Sequence, residues 1–569
     1  MIFRLGYDPQ VLEIGGVRVE SYGKAISVND LPTSQGADRR RERAAAKAAK
    51  AAAANQTGIL EGGPLAFQID QAQVIRPISP YVYGISSQPP EATGATVRRM
   101  GGNRQTAYNW EINASSAGND YQHSSDEWAC TAMGYTGCDQ PAAQFLQFAQ
   151  ANRKLGIESI ATVPIVDYVV ADKKGTVALE DKAPSKRWRR SLPKKPGALS
   201  LIPDLNDNNV YEDEFVNLLV NKLGPADKGG IRFYSLDNEP ALWPTTHPRV
   251  HPDKPTYAEM VTRTGATANE IVKLDPSAIV LGGVMFGWSE YKSLSDAPDA
   301  KANNDKYGSY LDFFLASLKK LEEQHKKRLV HVLDIHWYPE ARGSKRITDK
   351  DLSPKTVEAR LQAPRSLWDP TYVEKSWIAN ELGNKPVRLI PWLLERIAER
   401  YPGTKLGMTE YNFGVGDHIS GGLAQIDVLG VFGREGMYLA NYWGDGPGNG
   451  KLPPYIAAAF KLYRNYDGKG GTFGDTAVAA TTDVAKASVF AATDAKRPGV
   501  LTIIVINKDQ RAAYNGTLAI GGGQTKARVF TVDATSADVK PQPEVDIKNG
   551  QLSYRLPPLS ATLFVCEKR

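Results

Sequence analysis

What this chain lacks narrows it first. Nowhere do apolar residues run on for the roughly 18 positions a helix needs to cross a bilayer, so no membrane-spanning segment is expected. The opening, MIFRLGYDPQVLEIGG, has no uninterrupted apolar stretch of the kind a secretory signal needs, because Arg4, Tyr7, Asp8 and Pro9 break it up. Cysteine is scarce. There are three in 569 residues, with no CxxC pair and no Cys/His cluster, which argues against a structural zinc site. Cys130 and Cys138 stand eight residues apart across Gly134 and Gly137, a step that a loop disulfide closes in an oxidising compartment, although two free thiols would read the same.

What is present is a chain 42% hydrophobic and 23% charged, long enough to bury a large core and to divide into at least two domains. The net charge of +6 is concentrated. Between Lys173 and Lys195, nine Lys and Arg stand against Glu180 and Asp181, an excess larger than that of the whole chain. A nucleic-acid partner would need a basic face with aromatic or helical presentation, whereas KRWRR offers one Trp188 in a Pro- and Lys-rich loop. A solvated insertion fits better, and neither a nucleic acid nor a membrane is expected as a partner.

The chain divides into four parts. Residues 1–57 form a flexible N-terminal region whose run RRRERAAAKAAKAAAA, from Arg39 to Ala54, favours helix but has no apolar stripe with which to dock. Residues 58–80 supply one or two strands to a later domain. Across 81–468, eight short β-branched runs (81–86, 95–102, 159–166, 232–239, 279–286, 331–338, 405–412 and 437–443) alternate with amphipathic helical patterns. That alternation predicts an α/β fold, a (β/α)8 TIM barrel. Residues 469–569 change to period-two strands bounded by Gly, Asn and Asp, predicting an appended antiparallel β-sandwich domain.

Two motifs carry the chemistry. LDNEP, with Glu239, ends the fourth predicted strand, and GMTEYNF, with Glu410, ends the seventh. Catalytic residues of such barrels come from the C-terminal strand ends, so the two carboxyl groups can face one another at one rim. Paired carboxylates are the minimum equipment for cleaving a glycosidic bond. In the retaining mechanism one protonates the leaving oxygen while the other attacks the anomeric carbon, with the two groups about 5–5.5 Å apart. Taken alone, either motif reads equally well as a capped loop.

The stretch TVRRMGGNRQTAYNWEINASSAGNDYQHSSD, followed in order by LDNEP, DIHWYPE, MTEYN and ANYWGD, resembles glycoside hydrolase family 44, endo-acting β-1,4-glucanases and xyloglucanases of clan A. The match runs from about residue 60 to the end. RxxGGN also resembles the arabinofuranosidases of family 51. The resemblance implies that Glu239 is the general acid/base and Glu410 the nucleophile. Asn238 then contacts the sugar 2-hydroxyl, and Tyr338, His336 and Arg98 are the neighbours that favour the charge of Glu410. Alternation along the strand does not choose between Arg98 and Arg99; Arg98 is taken because it stands three residues before GGN. Asn103, Trp110, Trp337 and Trp443 join the substrate-binding set, with Trp128, Trp243 and Trp288 as further stacking candidates. Family members can carry calcium, for which Asp120 and Asp126 offer hard oxygens, but no EF-hand spacing exists, no metal ligand is assigned and no cofactor is required.

The expectation is therefore a retaining endo-acting hydrolase of β-1,4-glucan polysaccharides, monomeric and secreted or periplasmic. The competing expectations are an exo-acting clan A glycosidase of arabinofuranosidase or xylosidase type, with a closed pocket, and a carbohydrate-binding protein without catalysis. Several tryptophans at the rim favour an open cleft. The insertions at 173–197 and 340–386 shape that cleft.

Overall fold

The computed structural model describes residues 58–86, 93–444 and 451–568, and the backbone of three short strands nearer the start. Those three, Val11–Leu12, Arg18–Ser21 and Lys24–Ser27, form an antiparallel sheet in a unit of its own that ends at Leu60. The Ala- and Arg-rich run at 39–54 lies outside the described residues.

Eight parallel strands close into a barrel: β1 (Gly84–Ile85), β2 (Val97–Met100), β3 (Glu158–Val163), β4 (Phe233–Leu236), β5 (Ile279–Met285), β6 (Val332–Trp337), β7 (Lys405–Tyr411) and β8 (Leu439–Tyr442). Each overlaps one of the β-branched runs. Parallel strands of this kind are buried on both faces, which is why the runs are almost continuously apolar rather than alternating. Val97, Ile160, Phe233, Leu281, Val332 and Leu439, from six of the strands, form one fully buried cluster that plugs the barrel. The helices that follow the strands pack their apolar stripes outside. Tyr257–Leu274, for example, is started by a capping box in which Thr256 and Glu259 satisfy each other's backbone N–H groups.

The second domain is a mostly antiparallel nine-stranded sheet. Its long strand Leu60–Pro77 precedes the barrel in sequence yet pairs with Thr476–Thr481 beyond it. Leu65, Phe67 and Ile69 point into the same core as Val505, Leu552 and Phe564, while Ala66, Gln68 and Asp70 between them are exposed. That is the period-two pattern of a strand with one buried face. Where this domain meets the barrel, Lys508 and Asp427 form a buried ion pair at 2.8 Å.

The basic insertion is solvated along most of its length, as expected, but it is not a plain loop. Trp188–Leu192 lies between Tyr168–Val170 and Asn209–Tyr211 in a three-stranded sheet. Lys173, Arg187, Arg189 and Lys195 are paired with Glu127, Asp172, Glu111 and Glu214. Acids supplied from elsewhere in the chain neutralise much of its charge, so the excess counted along the sequence is not a free basic surface. Cys130 and Cys138 are joined in a disulfide. Among the described residues, no helix is long and apolar enough to cross a membrane.

Candidate active site

Just beyond β4 the chain turns sharply. Asp237 and Glu239 adopt left-handed backbone conformations, with φ of 66° and 45°, each costing of the order of 1–3 kcal/mol and held only where the surroundings over-determine it. Asp237 supplies that constraint. Its buried carboxylate accepts from the N–H groups of Ile165, Val166 and Asn238 at 2.8, 3.2 and 2.8 Å and from the Trp243 indole at 3.3 Å. Pro240 then opens the short helix Pro240–Leu242, and Glu239 is left facing the mouth of the barrel.

Glu410, near the end of β7, sits opposite His336 of β6 in the strand register. One of its oxygens accepts from Arg99 Nη1 at 2.6 Å and the other from the Tyr338 hydroxyl at 2.7 Å. Two donors, one of them cationic, thus fix the orientation of the carboxyl group. Burial holds the Tyr338 phenol well above its usual range, so it stays a donor. Carboxyl oxygens of Glu239 and Glu410 and a ring nitrogen of His336 all lie within 4.8 Å of one another. The positive charge among them is that of Arg99.

Glu239 has different surroundings. His336 Nδ1 lies 2.7 Å from its Oε1. Burial raises its pKa to about 7, opposed by Arg99 and assisted by Asp120. Burial also pushes the His336 imidazole down to about 3, which leaves the ring neutral. Glu239 thus titrates near neutrality, as a proton donor should, while Glu410 has each oxygen engaged by a donor that fixes its position, the division of labour that acid/base and nucleophile require.

Arg99 organises the rest. Its Nη2 donates to Asn238 Oδ1 at 2.8 Å, and Asn238 in turn donates to Asn103 Oδ1 at 3.1 Å, fixing which way the Asn238 amide points. The GGN sequence makes room for this. A Cβ at Gly101 would meet the Arg99 guanidinium carbon at 2.4 Å, and one at Gly102, where φ is +86°, would meet the Trp443 ring at 2.6 Å. A cavity of about 360 Å³ abuts Glu239, lined among others by Trp288, Trp337, Tyr338, Arg346 and Trp377.

Of the residues singled out in the sequence, Glu239, Glu410, Asn238, Asn103, His336, Trp337, Tyr338 and Trp443 come together here. Arg98 does not. Val97 belongs to the barrel's interior cluster, so Arg99 shares its face and Arg98 points the other way. There it donates to Asn152 at 2.6 Å and covers the Phe148 ring. Trp110 is also displaced: fully buried, it stacks on Phe215 and donates to the Tyr211 carbonyl. Of the further candidates, Trp243 supports the Asp237 turn, Trp128 lies under the Arg104 guanidinium, and Trp288 reaches the cavity. Asp126 is paired with Arg104 at 2.6 Å and Asp120 accepts from Asn103, so these two do not form a set of bare oxygens for calcium. Sequence reasoning passed over Arg99 in favour of Arg98 and missed Asp237 and Trp377.

The model of glycoside hydrolase family 44 matches residues 114–341. Endoglucanase A of Paenibacillus lautus is 43% identical over 493 residues, covering 85% of this chain and 70% of that one. The chain belongs to glycoside hydrolase family 44. A second relative, the beta-mannanase/endoglucanase A of Caldicellulosiruptor saccharolyticus, is 43% identical over 489 residues; 82% of this chain aligns with 36% of that longer protein. The solved structure of a Paenibacillus polymyxa family 44 xyloglucanase with xyloglucan is 41% identical, with a TM-score of 0.86, over 89% of this chain and all of that one. This family 44 chain is an endo-acting glycoside hydrolase, and the two facing carboxylates lie at the strand ends where its fold gathers catalytic groups.

Proposed function

We propose that the enzyme cleaves β-1,4-glucan backbones, xyloglucan among them, with retention of configuration. Glu410 attacks the anomeric carbon and Glu239 protonates the departing oxygen. Glu239, now ionised, then takes a proton from the water that hydrolyses the glycosyl ester. The observation that carries this reading is the approach of the two carboxyl groups, with oxygens within 4.8 Å. An inverting enzyme needs them about 6.5–9.5 Å apart to admit a water between them. Asn238, held by Arg99 and Asn103, is oriented to meet the sugar 2-hydroxyl, a contact that strengthens as positive charge develops on the ring.

The glucan assignment is supported by the aromatic cavity beside Glu239 and by the relatives, named as endoglucanase and xyloglucanase. Proton NMR of the first product formed from a β-1,4-glucan should show the β-anomer before mutarotation, and viscosity should fall early relative to the release of reducing ends. An α-anomer, or reducing ends without loss of viscosity, would overturn the reading. One chain supplies both carboxylates and Arg99, which supports an active site complete in a single copy. Its disulfide suits an extracellular or periplasmic place of work.

For the calcium implied by the family resemblance, we propose residues other than Asp120 and Asp126. Glu111 and Glu212 are buried, each with an oxygen that has no hydrogen-bond donor. Burial chiefly, then the charges of Asp207, Glu214 and Asp204, raises Glu111 to about 8 against the pull of Arg189. A calcium ion held by Glu111, Glu212 and Asp207 would offset that repulsion and tie the basic insertion to the barrel. Added calcium should raise the thermal midpoint of the wild type and leave that of a Glu111→Gln, Glu212→Gln variant unmoved.

A further inference from the structure

Behind Glu239 runs a line of hydrogen bonds that the two-carboxylate chemistry does not itself use. His336, Thr409 and Asp334 are all fully buried. His336 Nδ1 faces Glu239 at 2.7 Å, and Nε2 lies 3.1 Å from Thr409 Oγ1. The Thr409 hydroxyl donates to Asp334 Oδ2 at 2.8 Å, and the Thr409 N–H donates to Asp334 Oδ1 at 3.0 Å.

A hydroxyl has one proton to give. If Thr409 gives it to Asp334, only a lone pair faces the imidazole, and Nε2 must carry the ring proton. Nδ1 is then bare and can only accept, and the group across it that can donate is a protonated Glu239. Which end of the line keeps a proton follows from the donors at each. Asp334 accepts twice from Thr409, which favours its charge, whereas Glu239 has no such donor within the line and is raised further by the like charge of Asp120, against the pull of Arg99.

We propose that Asp334, acting through Thr409, is a positioning residue that fixes the tautomer of His336 and so holds the catalytic proton on Glu239. This rests on Glu239 being the general acid. The other charged or titratable groups facing the line are Arg99 of β2, Glu410 of β7, Tyr338 after β6, Asp120, and Glu290 and Tyr291 of the helix Trp288–Ser293. Tyr291 donates to the His336 carbonyl at 2.6 Å. Burial raises both Asp334 and Glu239 to about 7, so the direction of the line decides where a proton resides in the range where the enzyme must work.

Asp334→Asn reverses the line. An Asn oxygen can still accept from the Thr409 N–H, but its NH2 group would donate to the Thr409 hydroxyl. The hydroxyl must then donate to Nε2, which moves the ring proton to Nδ1, from where it stabilises ionised Glu239. The basic limb of the kcat/KM profile on glucan should therefore move down by about one to two pH units. Hydrolysis of activated aryl glycosides should be spared in its first step. Thr409→Val should shift the limb in the same direction and Thr409→Ser should restore it, so the test survives if the Asn variant fails to fold. ¹⁵N NMR of labelled histidine in the whole enzyme reads the tautomer independently of activity. Nε2–H in the wild type and Nδ1–H in Asp334→Asn is the expected result. Nδ1–H in the wild type, or an unmoved basic limb in folded Asp334→Asn or Thr409→Val, overturns the proposal. If the tautomer reverses as expected but Glu239→Gln loses aryl and natural substrates equally, the positioning line stands and the assignment of Glu239 as acid falls.

Discussion

Arg99→Met and Arg98→Met should separate sharply, although the two residues are adjacent and both buried. Arg99 has a side chain with no exposure, paired at 2.6 Å with a Glu410 side chain that is 6% exposed. Removing one member of such a pair leaves the other charge buried, and this typically costs about 3–5 kcal/mol. Tyr338 still donates to Glu410, so the lower end, about 3 kcal/mol, is expected. Asn238 loses the donor that fixes its amide, and the nucleophile loses the group that positions it. Displacement of a reacting group by about 1 Å costs on the order of 100-fold in rate, so activity should fall at least that far. Arg98→Met also destabilises, because it strips Asn152 and Phe148 of their partner, but activity per folded molecule should stay within a few-fold of wild type. Denaturant unfolding and initial rates on soluble glucan measure both quantities. A Glu410→Gln background should absorb most of the stability cost of Arg99→Met, since no charge is then left unpaired. Comparable activity losses at positions 98 and 99, or a loss of stability below about 1 kcal/mol for Arg99→Met, would refute the reasoning.

With Glu239 at about 7, the protonated form is lost as pH rises, and kcat/KM on glucan should drop about tenfold per pH unit above that point. Aryl glycosides that leave without protonation should show no such limb in their first step, and Glu239→Gln should cripple the glucan reaction while sparing them; equal losses would contradict the acid role. Trp377, 44% exposed beside the cavity, should matter for binding rather than chemistry. Trp377→Ala should raise KM on glucan by roughly 5–30-fold, from a loss of about 1–2 kcal/mol of ring contact, with kcat little changed. A fall in kcat at constant KM would remove Trp377 from the cleft wall.

Much of the frame was legible because the barrel is built from repeated local units. Each of the eight β-branched runs is long enough to be a strand and too short to be a helix, and most are followed by a helical pattern. Glu239 and Glu410 stood out because each ends such a run. Arg98 and Arg99 could not be told apart for the same reason the strands were easy to find. Both faces of a parallel barrel strand are buried, and Asn152 on the outer helix gives an arginine as good a home as the catalytic centre does. Parity with Val97 was the available clue, usable only once Val97 is known to face the barrel interior. Trp110 misled because it follows β2 closely, yet the chain folds through the helix Asn103–Thr106 and brings the ring under Phe215. Trp377 and the Asp334–Thr409 line depend on contacts between separate elements, which local pattern does not record. The ion pairing of the basic insertion was not legible because its acidic partners, such as Glu111 and Glu214, lie outside it in sequence.

The central claim is that Glu410 forms a covalent bond to the sugar while Glu239 does not. A 2-deoxy-2-fluoro cellobioside with a good leaving group should inactivate the enzyme in a time-dependent way. Mass spectrometry of a peptic digest should then find the added glycosyl mass on the peptide carrying Glu410, with none on the Glu239 peptide. A label on Glu239, or turnover of the fluoro sugar with no covalent adduct on any peptide, would contradict the account.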